Sequence, residues 1–169
     1  MRNCLVLVIC FFTLSTGLPD RVSANEFGVN LYGISYHILK DYQSRDRLNE
    51  VNTGIGFRAT FGGRKSSNLF FEGGRFKDTF ENTARYMSIG FLLKIIYQLR
   101  VGVNGAMYTT ESIRGGDAFF VPIPIASYTL WRVTVNGVYL PKYKRTNPFH
   151  TLGFYLTIRL FEGKPTKKR

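Results

Sequence analysis

Cysteine is nearly missing from this chain: the two present, Cys4 and Cys10, fall within the first ten residues. Both belong to an apolar segment, Cys4 to Leu14, that follows the basic Arg2 and is too short to cross a bilayer as a helix. That pattern predicts a signal peptide over residues 1–24, with Val22-Ser23-Ala24 at the cleavage point and Asn25 as the mature start. A retained membrane anchor is the alternative, while Ile9 before Cys10 is too large for a lipoprotein cleavage site. Without its leader the 169-residue chain keeps 145 residues and no thiol. Disulfides and cysteine-bound metals are excluded, so backbone pairing and burial must hold a single domain together.

Long hydrophobic runs are also missing. No mature segment approaches the roughly 20 apolar residues of a transmembrane helix. Imidazole is scarce too, with His37 and His150 the only histidines available for acid–base work near neutral pH. There is no G-x-S-x-G elbow, phosphate loop, H-E-x-x-H helix or metal-ligand cluster, so the common hydrolase, nucleotide and zinc chemistries are not indicated. No cofactor and no metal are expected.

Aromatic residues, by contrast, are abundant, with 15 Phe and 10 Tyr. They alternate. In Thr53 to Gly62, Ile55, Phe57, Ala59 and Phe61 oppose Gly54, Gly56, Arg58, Thr60 and Gly62. In Tyr86 to Ile95, Met87, Ile89, Phe91, Leu93 and Ile95 oppose Tyr86, Ser88, Gly90, Leu92 and Lys94, and Arg132 to Tyr139 repeats the pattern. Period two marks strands with two unlike faces. Further strands at Phe27 to Leu39, Asn68 to Lys77, Arg100 to Ser112, Ala118 to Tyr128 and His150 to Phe161 make eight, separated by turn-like segments such as Gly62 to Asn68 and Gly115-Gly116-Asp117.

A soluble β-sandwich or a lipocalin-like carrier would show similar strands. Charge placement favours a membrane: Arg58, Lys94 and Arg132 lie on the otherwise polar faces, as they would in the lumen of a barrel whose other face meets lipid. The last strand, Leu152 to Phe161, closes on apolar and aromatic residues, and a basic tail follows at 162–169. The expected fold is therefore an all-β, eight-stranded antiparallel transmembrane β-barrel over residues 25–161, in the outer membrane of a Gram-negative bacterium. The 23 basic and 11 acidic residues lose Arg2, Arg21 and Asp20 with the leader, leaving a formal charge of +11. An exported cation of this kind suits phosphate-bearing lipid surfaces better than nucleic acid, although solvated loop charges would give the same sum.

The first, third and sixth strands blur the alternation, with Ile34, Leu39, Phe70, Phe71, Val121, Ile123 and Ile125 leaving few polar positions. A lumen that holds a hydrocarbon chain would require that lapse. His37 ends the first strand and Asp78-Thr79 follow the third, so a meander barrel puts them at the same rim. A carboxylate, an imidazole and a hydroxyl could then converge. His150, in a turn-like setting, reads as structural.

Ile34-Ser35-Tyr36-His37, Asp46 to Glu50, Phe76-Lys77-Asp78-Thr79-Phe80, Phe120-Val121-Pro122-Ile123-Pro124 and Tyr139-Leu140-Pro141 together resemble segments of the lipid A palmitoyltransferases (PagP). Those enzymes are eight-stranded outer-membrane barrels that move a palmitoyl chain from a phospholipid to lipid A. The resemblance implies catalytic roles for His37, Asp78 and Thr79, and an acyl-pocket floor at Gly90. It also implies lateral lipid access beside Pro122, Pro124 and Pro141, where a missing backbone N–H interrupts a strand ladder. The implied partners are a phospholipid donor and lipid A or another outer-leaflet acceptor, for a monomeric barrel. The sequence departs from the family at several points: its serine is Thr79 here, Val51 stands in place of an arginine, Tyr32 in place of a proline, and there is no room for an amino-terminal helix. A non-catalytic lipid-binding or structural barrel is the alternative.

Overall fold

The computed structural model describes residues 26–38, 48–62, 67–143, 147 and 149–163. The expected leader, Asn25, most of the first long loop and the tail beyond 163 lie outside the described residues. The strands are β1 (Glu26–Ile38), β2 (Val51–Phe61), β3 (Asn68–Lys77), β4 (Thr83–Ile96), β5 (Leu99–Thr109), β6 (Phe119–Leu130), β7 (Val133–Leu140) and β8 (His150–Glu162). Each pairs antiparallel with its sequence neighbour, and β1 also pairs with β8, so the sheet is closed. Closure satisfies every edge, the condition for backbone placed in hydrocarbon. Elsewhere among the described residues there is only the short 3-10 turn Arg114–Gly116.

All eight expected strands are present, with most boundaries shifted by one to three residues. β4 begins at Thr83, three residues before the apolar alternation starts, because Thr83, Ala84 and Arg85 continue the ladder opposite Lys77, Phe76 and Arg75. β5 stops at Thr109, since Thr110 to Ser112 turn back to Asp78. β8 runs through Glu162, where it faces Glu26, so the basic tail starts later than the alternation suggests.

Alternation becomes inside and outside as expected. In β4, Met87, Ile89, Phe91, Leu93 and Ile95 are exposed, while Tyr86, Ser88, Gly90 and Leu92 are buried. The exposed set continues around the barrel through Leu31, Ile55, Phe57, Leu69, Val103 and Leu156. A continuous apolar belt of this kind belongs in lipid, not in water. The turns divide unequally. Tyr97-Gln98 and Trp131-Arg132 are two-residue hairpin turns, each with positive φ at its first residue, while the three longest connections, β1–β2, β5–β6 and β7–β8, lie at the other end. In outer-membrane barrels short turns face the periplasm. Tyr97, Tyr128, Trp131 and Phe161 are exposed at that short-turn end, where aromatic girdles meet the membrane interface.

A polar layer crosses the middle of the lumen. Arg58 forms a 2.8 Å ion pair with Glu72 and donates to Asn136 Oδ1 at 2.9 Å and to the Tyr155 hydroxyl at 2.7 Å. Asn30 and Asn104 donate to the same carboxylate, each at 3.1 Å. Six strands contribute to the cluster, which divides the interior into an upper half beneath the long connections and a lower half above the short turns. Arg58 therefore lies inside, as its place in the alternation indicated. Lys94 and Arg132 line the lower mouth of the lumen, Lys94 at the end of the inward row of β4 and Arg132 within a turn.

Candidate functional site

His37 reaches the lumen because of a bulge. From Gly28 to Tyr32 the even-numbered residues of β1 face inward, and simple continuation would turn His37 toward lipid. Between Tyr32 and Ile34 the register slips against both neighbours: Tyr32 faces Tyr155 while Ile34 faces Phe154, leaving Gly33 as an extra residue. One inserted residue exchanges the faces of everything that follows. Ile34, Tyr36 and Ile38 are then exposed, and His37 is 2% exposed.

His37 Nε2 lies 2.9 Å from Thr79 Oγ1. On the other side of the ring, Glu50 Oε1 is 3.7 Å from Nδ1. That separation is too long for a hydrogen bond, yet a carboxylate there favours a proton on Nδ1 and leaves Nε2 as the acceptor toward Thr79. Glu50 is held in turn: its carbonyl accepts from the Ser35 amide at 2.8 Å. Asn49 clamps the two segments together, donating from its backbone to the Thr79 carbonyl at 2.8 Å and from its side chain to the Asp78 carbonyl at 3.2 Å. Phe149 packs edge-on against the imidazole.

Asp78 differs from the expected arrangement. Its Oδ1 accepts the backbone amides of Phe80 and Asn82 at 2.9 Å, closing the β3–β4 turn, and its Oδ2 accepts the hydroxyls of Thr110 at 2.5 Å and Ser112 at 2.6 Å. The carboxylate is thus directed to the turn and to the β5 end, and Glu50 stands by the histidine instead. Sequence reasoning passed over Glu50 as a site residue because nothing local marks a glutamate at the start of β2; Ser35, two residues before His37, fixes it through pairing across strands.

Below Thr79 a cavity of about 710 Å³ occupies the upper lumen, within the ordinary range for a bound small molecule. Its walls are aromatic and aliphatic. Tyr32 packs on Phe76 and Tyr155 with ring centroids 5.0 and 5.3 Å apart, and Tyr108 packs between Phe76 and Phe119. Val121, Ile123 and Val138 line the facing side. The Tyr32 and Tyr86 hydroxyls bond to each other. Glu72, Asn104 and Tyr155 form the floor, so Gly90 does not. Gly90 lies lower, beneath the Phe70 ring, whose Cζ is 2.2 Å from where a Cβ on residue 90 would sit.

Pro122 and Pro141 border this cavity, whereas Pro124 stays on the outer face. Thr129 donates its amide to Gln98, which lies beyond β5, and the β5–β6 register runs unbroken from Leu99 and Tyr128 to Tyr108 and Phe119. Odd-numbered residues of β6 therefore turn their amides to β5 and even-numbered ones to β7. Pro122 and Pro124 remove two successive donors from the β7 side. The β6–β7 ladder ends at Ile125 and Val138, while β6 stays paired to β5 as far as Phe119. Above that point β6 and β7 are unzipped. His150 is occupied elsewhere, its Nδ1 accepting from the Tyr139 hydroxyl at 2.6 Å.

No family model matches the chain, and no curated protein matches it in sequence. In structure it is similar to the outer membrane protein Ail of Yersinia pestis, determined as a backbone structure in a phospholipid bilayer nanodisc. The two share 9% sequence identity and a TM-score of 0.50 over 80% of this chain and 99% of Ail. At that identity the likeness concerns the fold alone, an eight-stranded closed barrel of the outer-membrane type.

Proposed function

We propose that this barrel is a PagP-like acyltransferase of the Gram-negative outer membrane, moving a palmitoyl-like chain from a phospholipid to lipid A or another outer-leaflet acceptor. The observation that carries the reading is the His37–Thr79 contact of 2.9 Å at the top of an apolar cavity flanked by unzipped strands. An acyl chain enters sideways between β6 and β7 beside Pro122 and Pro141 and lies along the aromatic wall, bringing its ester to the rim.

His37 Nε2 takes the proton from the attacking acceptor hydroxyl as that oxygen bonds to the ester carbonyl carbon. The bond from that carbon to the glycerol oxygen breaks, and the same proton returns to the departing lysophospholipid. Glu50 stabilises the imidazolium formed in between, and the Thr79 hydroxyl orients the ring and the reacting oxygen. Asp78 is a positioning residue that fixes the turn carrying Thr79. The test is transfer from labelled phospholipid to lipid A by the reconstituted protein. Glu50→Gln is expected to lower the rate more than Asp78→Asn does once folding is matched, and equal product from wild type and His37→Ala overturns the mechanism.

A second reading, a lipid-binding barrel without turnover, draws on the orientation of Asp78 away from His37 and on the crowding methyl of Thr79. Thr79→Ser separates the two. Raised transfer supports a slow enzyme, whereas bound lipid and no transfer in a folded variant support the binding role.

A further inference from the structure

The lower half of the lumen holds a second cavity, of about 390 Å³, separated from the first by the Arg58–Glu72 layer. Its lining has an unusual charge balance: Arg58, Lys94, Arg100, Arg132 and Arg159 against a single carboxylate, Glu26. Arg58 is neutralised by Glu72. Glu26 is committed to Arg159 at 3.2 Å, and Arg159 also donates to the Trp131 carbonyl at 2.6 Å. The lining as a whole keeps a surplus of positive charge.

Placement matters as much as count. Arg100 is 8% exposed and projects into the lumen from the start of β5. Lys94 ends the inward-facing row of β4, and Arg132 lies in the turn with its guanidinium 5.6 Å from the Trp131 ring centroid. Thr129 and Thr134 line the space with hydroxyls 3.0 Å apart, while the hydroxyls of Ser127 and Thr157 donate to Asn136 and Asn30. Concave positive surfaces with low-dielectric walls concentrate anions, and forked guanidinium groups match the oxygens of phosphate. An apolar solute would find little to bury against here.

We propose that this lower vestibule is a binding site for a phosphate-class anion, reached from the short-turn end of the barrel and distinct from the acyl cavity. The ligand is a phosphate monoester or diester, carried either by a free solute or by the headgroup of an inner-leaflet phospholipid. The cations would contact its oxygens, and the one hydroxyl proton left over in the Thr129–Thr134 pair would add a donor.

Trp131, the single tryptophan of the chain, lines the site and provides the signal. The mature barrel, refolded in phosphate-free lauryldimethylamine oxide micelles, is titrated with inorganic phosphate and, separately, with dihexanoyl phosphatidylglycerol while Trp131 emission is followed. A saturable change with either probe is expected. Arg100→Gln and Lys94→Gln should each weaken it about tenfold, the value of one charge-assisted hydrogen bond. His37→Ala, in the other half of the lumen, should leave it unaltered. Saturation by phosphate assigns the site to free anions, and saturation by the lipid alone assigns it to a headgroup; both support the proposal. It is overturned if neither probe saturates, if chloride at equal ionic strength reproduces the change, or if both variants bind as the wild type does. Lys94 is exposed, so its variant should fold, and heat-modifiable gel migration verifies that both variants do.

Discussion

The two halves of the lumen are built from the same eight strands and have opposite characters. Above the Arg58–Glu72 layer the inward positions carry Tyr32, Phe76, Tyr86, Tyr108 and Ile123 around a wide space. Below it they carry Asn68, Arg100, Ser127, Thr134 and Thr157 around a narrower one. Pairing differs between them too, since the Gly33 bulge and the opening between β6 and β7 both lie in the upper half. What separates them is the polar layer. An ion pair in the lumen is tolerable only when its remaining bonding capacity is filled, and Asn30, Asn104, Asn136 and Tyr155 fill it here. A barrel can thus hold a hydrocarbon chain and a charged ligand along one axis if a satisfied polar layer keeps them apart.

The largest expected effects fall on the elements that give the upper half its chemistry. His37→Ala should reduce acyl transfer by about 10²–10⁴-fold, the usual contribution of a positioned base, with lipid binding retained. Inserting one residue between Ile34 and Ser35 should have the same effect on transfer, because it turns His37 to the lipid face, whereas deleting the extra Gly33 keeps Ile34 opposite Phe154 and His37 inside. Transfer rates and bound-lipid analysis on these variants check this, and an active insertion variant would refute the bulge argument. The divider comes next. Glu72→Ala leaves Arg58 as an uncompensated charge and should cost about 3–5 kcal/mol in denaturant unfolding, while an apolar replacement of the whole pair should recover much of that loss. If the single variant is as stable as wild type, the layer is not what separates the halves.

Two smaller changes sharpen the comparison. Gly90→Ala forces its Cβ against the fully buried Phe70 ring and should destabilise by about 1–3 kcal/mol, without shortening the acyl chain accepted. A shift in chain-length preference would instead return Gly90 to the cavity floor. Replacing Pro122 and Pro124 together by valine restores two donors facing β7. Each ladder bond recovered should add about 0.5–1.5 kcal/mol to unfolding stability, and acyl transfer should slow as the seam closes.

Much of this could be read from the chain because strand periodicity is local. Alternation in β2 and β4, with few polar residues in β1, β3 and β6, sufficed for an eight-stranded barrel with an apolar interior. Meander order sufficed to put His37 and Thr79 at one rim. The pair Phe70 and Phe71 looked like a lapse in alternation and resolves into one ring on the polar layer and one facing out.

The sequence by itself determined which residues alternate, how many strands form and which end carries the imidazole and the hydroxyl. Tertiary structure decided what those groups meet. A one-residue bulge at Gly33 sets the direction of His37, cross-strand bonds bring Glu50 to it, and Thr110 with Ser112 draw Asp78 away. The physical reason is range: side-chain period is written along a strand, whereas register and hydrogen-bond competition depend on residues distant in sequence that meet only when the barrel closes.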